Sequence, residues 1–170
     1  MKKLLVTILV IMLAFTTACE NKDSDITSVP SGQEVEDTKE ISLYYSRADA
    51  EYLVKETEQV SAKNADDASY VLEKLLSGPS DDELVNAITK GTRINSVKTQ
   101  DGLCTVDLSA EFIEKSGTAN ERMAIYSVVN TLCELEEIDK VQFLIDGKKI
   151  MIFGSYIFDE PFEADISIVK

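Results

Sequence analysis

Carboxylates, three thiols and a scatter of serines are the groups with chemistry to offer in this chain, and histidine is absent from all 170 residues. That absence removes serine or cysteine triads built on imidazole, together with the commonest zinc ligand. A Ser-Lys dyad needs a Ser-x-x-Lys segment opening a buried helix, and no such helix is predicted. Asp107 and Glu111 are the carboxylates to weigh as a glycosidase-like acid pair. Asp107 alternates with Val106 and Leu108 and so falls on the solvent side of a strand, while Glu111 follows in a turn-like Ser-Ala-Glu-Phe. A raised pKa needs burial that neither position promises. The acidic residues between Glu20 and Glu40 lack the Asp-x-Asp-x-Asp-Gly framework of a calcium loop. The glycines stand singly at turns, so no phosphate-cradling loop is read. No catalytic, cofactor-binding or metal-binding residue is assigned.

Positioning begins at the N-terminus. Lys2 and Lys3 precede an apolar run from Leu4 to Phe15 and small residues before Cys19, the layout of a secretory signal. Spanning a bilayer takes roughly 20 apolar residues, so a cleaved signal is favoured over an uncleaved anchor. Thr16-Thr17-Ala18-Cys19 resembles the lipobox of bacterial lipoproteins, with Thr16 where leucine is usual. The resemblance implies lipidation at Cys19, the alternative being a plain secreted cysteine, and two acyl chains would give stable anchoring. Residues 1–18 are then the signal, 19–40 an acidic flexible tether, and 41–170 the folded part. Signal removal makes the formal charge of −14 two units more negative. Such a surface repels polyanions, which excludes nucleic acid as a partner and leaves anchoring to the lipid rather than to basic clusters.

The folded part opens with strands at Ile41–Tyr45 and between Glu51 and Glu58. A helix starts near Asp66 or Asp67, places Val71, Leu72, Leu75 and Leu76 on one face and stops at Gly78-Pro79. Ser80 to Glu83 reads as a capping box for a short helix carrying Leu84, Val85 and Ile88. Thr89 to Phe112 reads as a β-hairpin turned by Asp101-Gly102, with Cys104, Val106 and Leu108 facing inward. A turn around Lys115-Ser116-Gly117 and a capping box at Thr118 to Glu121 introduce a long helix with Ile125, Val128, Val129 and Leu132 in its stripe. Val141–Ile145 is a strand, Asp146-Gly147 a second tight turn, and Lys149–Phe153 its returning partner. Pro161 demotes the segment beyond Gly154 to an edge or a wrapping tail. Cys104 and Cys133 are either ordinary buried thiols or, in an exported protein, a disulfide. The order gives an α+β fold, a largely antiparallel sheet with helices packed on one face.

Within this frame several stretches carry a resemblance. They are Leu75-Leu76-Ser77-Gly78-Pro79, Lys90-Gly91-Thr92, Thr105-Val106-Asp107-Leu108-Ser109 with Phe112, Asn130 to Leu135, and Val141 to Lys148. Together, over about residues 72–148, they resemble the GerMN domain, the sporulation and spore-germination module of bacterial lipoproteins. The departure is Thr89, where the family usually has proline. The resemblance implies a fold similar to ring-building motifs, no catalysis, and attachment at the outer face of the cytoplasmic membrane. It implies an envelope protein partner or self-association. The docking surface is then expected at an exposed sheet edge or on the polar face of the long helix, at Glu121, Arg122, Asn130 and Glu134. A small-ligand or cell-wall glycan-binding lipoprotein is the alternative.

Overall fold

The first strand is enclosed on both faces. In the computed structural model, described for residues 37–114 and 118–170, β1 (Thr38–Arg47) buries Ile41, Leu43 and Tyr45 on one side and Tyr44 and Ser46 on the other. It pairs antiparallel with β2 (Leu53–Ser61), from Thr38↔Ser61 to Ser46↔Leu53. Thr38, Lys39 and Glu40 therefore belong to the sheet, three residues ahead of the boundary expected at 41. A single helical turn, α1 (Ala62–Ala65), leads into α2 (Ala68–Ser77). Asp67 caps α2, its carboxylate accepting from Ser69 N at 2.9 Å and Tyr70 N at 3.3 Å, and Gly78 ends the helix as expected.

The short helix expected after Pro79 does not form. Glu56 on β2 accepts hydrogen bonds from Ser80 N at 3.1 Å, Ser80 Oγ at 3.1 Å and Asp81 N at 2.9 Å, so the Ser80 half of the supposed capping box is drawn to the neighbouring strand, while the Glu83 carboxylate pairs with Arg47 at 2.9 Å. Leu84–Val85 instead forms β3, which pairs with Arg47 and Ser46 of β1.

A second sheet follows. β4 (Ile94–Gln100) and β5 (Leu103–Leu108) make the expected hairpin, with Asp101 at φ 52° and Gly102 at φ 79°, the conformation a two-residue turn of this hand requires. Gly102 is also a point of close approach. A Cβ there would lie 2.3 Å from Asp139 Oδ2, while its carbonyl accepts from Asp139 N and Lys140 N at 2.8 and 3.1 Å. Those bonds start β6 (Lys140–Ile145), which lies parallel to β5 from Leu103↔Lys140 to Leu108↔Ile145. The parallel pair needs a crossover, and α3 (Thr118–Leu132) supplies it. The other strand pairings are antiparallel.

The second Asp-Gly turn forms, with Asp146 at φ 47° and Gly147 at φ 76°, but the returning strand does not. Pairing stops at the single bridge Ile145↔Lys148. Ile152–Phe153 (β7) pairs with Tyr156–Ile157 (β8), and the far edge of β6 is taken by Phe162–Glu163 (β9) just after Pro161. The cause is aromatic. Phe153 and Phe158 turn inward to join Phe112 and Phe143, with ring centroids 4.9 Å apart for Phe143–Phe158 and 5.5 Å for Phe153–Phe158, and Phe162 closes the group 5.7 Å from Phe143. Burying these rings is worth more than extending a two-residue ladder. The tail then wraps as expected: Ile168 is buried with Tyr44, Leu53 and Met123, and Lys170 N donates to Leu53 O at 3.0 Å.

The main core gathers Cys104, Val106 and Leu108 of β5 and Val141, Phe143 and Ile145 of β6 with Ile125, Val128, Val129 and Leu132 of α3. Leu72 and Leu75 of α2 join it, as do Leu43 and Tyr45 of β1. The described residues form one compact unit.

Candidate docking surfaces

The polar residues of α3 are the place to test the expected docking face, and most of them are spent inside the protein. Tyr44 of β1 points its backbone N–H and C=O away from β2, toward an edge that β3 reaches only at Ser46 and Arg47. Helix hydroxyls fill that gap: Thr131 Oγ1 accepts from Tyr44 N at 3.0 Å and the Ser127 hydroxyl donates to Tyr44 O. Both side chains are fully buried. Satisfying a buried strand edge in this way avoids the cost of unpaired backbone groups.

Glu121, Arg122, Asn130 and Glu134 do not form one exposed surface. Asn130 is buried, its amide donating to Asp165 O at 3.0 Å and its oxygen accepting from Asp165 N at 2.9 Å. Arg122 is half-buried and pairs with the Asp165 carboxylate at 2.9 Å. The Ser167 hydroxyl, and then Arg122, hold the Asp165 carboxyl below its ordinary range against partial burial. Glu121 is 7% exposed and lies under Gly154, where a Cβ would meet its carboxylate oxygen at 1.6 Å. Its Oε2 has no hydrogen-bond partner among the described residues. Glu134 stays accessible, yet it accepts from the Tyr44 hydroxyl and pairs with Lys55 at 3.0 Å. Partial burial pushes Glu134 up, and the bonds from Tyr44, Lys55 and Ser42 outweigh it and hold the carboxyl low. The helix is central because β1 and the C-terminal tail cover the side that residue types alone assign to solvent.

Cys104 and Cys133 are free thiols in this structure, with no bridge between them. Cys104 is fully buried, and the half-buried Cys133 donates to Asp139 O at 3.6 Å. Burial pushes both thiols up, Cys133 to about 11, which leaves little thiolate near neutrality. Cys19, the rest of the signal, residues 20–36 and the Lys115-Ser116-Gly117 turn lie outside the described residues, and the Thr118 capping box depends on them. Glu111 is held low by Ser109 first, then by its own backbone N–H and by Arg93, which it meets at 3.0 and 3.3 Å. Such a carboxyl does not suit a general acid. Asp107 accepts from Gly147 N at 2.9 Å and so ties the second Asp-Gly turn to β5. Among the described residues no group of three or more His, Cys, Asp or Glu side chains could hold a metal ion.

Among the described residues, three surfaces are to be weighed. β4 is hydrogen-bonded along one side only, and its other side is a sheet edge seven residues long. β2 is the edge of the first sheet, but Lys55, Glu56 and Glu58 line it and Lys170 covers Leu53, devices that discourage strand addition. The third surface departs from the sequence-based expectation. Met151, Ile152 and Ile157 are 72%, 67% and 66% exposed on the β7–β8 hairpin. The apolar run Ile150–Phe153 carried the signal, hidden by its reading as a paired strand. Beside these surfaces a cavity of about 410 Å³ lies between Lys39, Asp66 and Ser69 on one side and Val97, Leu135 and Ile138 on the other.

Comparison with known proteins places this architecture. The tandem GerMN domains of the sporulation protein GerM from Bacillus subtilis superpose with a TM-score of 0.62 at 22% identity, covering 81% of this chain and 48% of that one. The chain thus spans about half of the tandem protein. The first GerMN domain of the same protein gives 0.58 at 18% identity, covering 76% and 99%. A Clostridium perfringens protein described as a lipoprotein gives 0.55 at 20% identity, covering 78% and 92%. At these identities the likeness shows the fold. Comparison with curated proteins by sequence finds no significant match. The profile of the Germane family, described as sporulation and spore germination, matches residues 42–151, about two thirds of the sequence, and the chain belongs to that family.

Proposed function

We propose that this protein is a non-catalytic, lipid-anchored lipoprotein at the outer face of the bacterial cytoplasmic membrane. Its GerMN domain acts as an interaction and assembly module in an envelope or sporulation/germination complex. The observation that carries this reading is the free edge of β4, seven residues without a strand partner in a domain whose other long edge is charged and partly covered. An open edge recruits a strand from a partner through backbone hydrogen bonds, with side chains of alternate residues setting specificity. Ser96, Lys98 and Gln100 alternate along it. Cys19 lipidation, supported by the Ala18-Cys19 pair and the apolar run before it, holds the domain at the membrane.

The test is a photo-crosslinking residue at Lys98, introduced into the full chain in sporulating and in growing cells. A specific envelope protein, or a second copy of the chain, crosslinked at Lys98 and not at a control position on β2 supports the reading. Recovery of no partner in either growth state removes it. The cavity beside α2 favours a second reading, a small-ligand or wall-glycan binder. Titration with muropeptides that yields no heat of binding counts against it.

A further inference from the structure

The β7–β8 hairpin presents two faces of opposite use. Phe153 and Tyr156, a cross-strand pair, face inward: Phe153 joins the phenylalanine cluster, and Tyr156 meets Tyr126 of α3 edge-on at 6.5 Å. The other cross-strand pair, Ile152 and Ile157, faces outward, and Met151 precedes it. Neither isoleucine is needed to fold the hairpin, since the inward pair and the buried Phe158 hold it. A cluster of large apolar side chains, each about two thirds exposed or more, marks a contact surface with protein or membrane. Directly before it stand Lys148 and Lys149, both exposed and the one pair of adjacent cations among the described residues. Asp159 and Glu160 flank the far end of the hairpin, and Lys149 Nζ donates to Asp159 O at 3.3 Å.

We propose that this hairpin is a membrane-contact element, in which Met151, Ile152 and Ile157 dip into the headgroup boundary of the bilayer while Lys148 and Lys149 meet lipid phosphates. Cations beside exposed apolar side chains match an interface that is anionic outside and apolar beneath. Because Asp159 and Glu160 offset the lysines, apolar insertion carries the contact and attraction orients it. The inference rests on the lipid-anchored reading, because three side chains bind a bilayer weakly by themselves. A tether changes that by turning binding into an intramolecular event with a high effective concentration. Geometry permits it. β1 starts where Lys39, Asp66 and Leu135 line one cavity, at the C-terminal end of α3, whereas the hairpin covers Glu121 at the other end. The 15 residues of α3 span about 22 Å. The backbone between Cys19 and Thr38 reaches up to roughly 65 Å when extended, so hairpin and anchored cysteine can meet the same surface.

The sequence contains no tryptophan, so Ile157→Trp gives a single indole reporter and Thr57→Trp, on the exposed edge of β2, its control. Each full chain is produced in cells that lipidate it and reconstituted into phosphatidylcholine vesicles containing phosphatidylglycerol. Flotation and intact mass are recorded with quenching by lipids brominated near the headgroup. The expected result is a blue-shifted hairpin indole quenched several-fold more than the control indole on β2. That quenching should be lost when Met151→Ser and Ile152→Ser are added, at unchanged flotation and circular dichroism. A protein that floats while the hairpin indole stays unquenched overturns the inference and leaves the anchor standing. One that carries no acyl mass and does not float overturns the anchored reading and this inference with it. A concentration-dependent blue shift without vesicles and without lipid quenching assigns the face to a second copy and overturns the lipid contact.

Discussion

Replacing Phe158 by alanine tests the feature that most separates the observed fold from a simple hairpin after β6. Phe158 is 0% exposed, sits 4.9 Å from the Phe143 ring and 5.5 Å from Phe153, and belongs to no regular strand or helix. Truncating a buried phenylalanine costs about 3–5 kcal/mol, which already includes much of the lost ring contact. A domain of this size has a total stability of roughly 5–15 kcal/mol, and each kcal/mol moves the midpoint by about 3–4 °C. The variant should therefore melt about 10–20 °C below the wild type. Its neighbour supplies the contrast, because Ile157 is 66% exposed and Ile157→Ala should stay within about 0.5 kcal/mol. Both are measured by thermal circular dichroism and by urea titration, where an unchanged slope shows that the same surface unfolds. Equal midpoints for the two variants would refute the inward turn of the segment after Phe153. So would a Phe158→Ala loss below about 1 kcal/mol.

The other expectations concern polar groups. Thr131→Val strands the buried N–H of Tyr44 and Ser127→Ala strands its carbonyl; each should cost about 1–3 kcal/mol by urea titration, and a neutral outcome in both would mean that α3 does not seal β1. Glu134 has its folded pKa held low, so its contribution is present above the ordinary carboxyl value and disappears as pH falls through the folded one. The stability gap between wild type and Glu134→Gln should accordingly close in the acid range, and because the side chain is 34% exposed the gap at neutral pH should stay below about 1 kcal/mol. A gap that widens in acid has the wrong sign. Asp107→Ala removes the acceptor for Gly147 N and should cost about 1 kcal/mol, whereas Val106→Asp buries an unpaired charge and should leave the domain unfolded. Cys104 and Cys133 should resist alkylation in the native protein and react in urea, as read by mass; fast native modification of Cys104 would contradict its burial.

Local chemistry told the truth about local structure. Asp101-Gly102 and Asp146-Gly147 both turn as their residues require, and Asp67 and Gly78-Pro79 bracket α2. What those signals do not carry is the partner. The second turn hands its chain to the phenylalanine cluster rather than to β6, and only the joint position of Phe112, Phe143 and Phe158 makes that outcome favourable. Ser80 and Glu83 spell a capping box, but Glu56, distant in sequence, takes the Ser80 N–H and Asp81 takes that of Glu83. Asn130, expected on the polar docking face of α3, is buried for a related reason. It is hydrophilic by type, and its duty, like that of Ser127 and Thr131, is to a strand and a tail that meet the helix only after folding. The exposure of Ile152 and Ile157 is not legible because a two-residue strand gives alternation too little length to reveal which side is outer.

The sealing of β1 by α3 also sets a timetable. β1 and β2 are neighbours in sequence and can zip together as soon as both are made, but the Tyr44 edge waits for Thr131, 87 residues later. The last patch over it, Ile168, arrives later still. Until α3 docks, the folding chain thus carries a strand that is open along one side, and the groups that close it lie about half the sequence away. Its hazard is pairing with another chain before the helix docks.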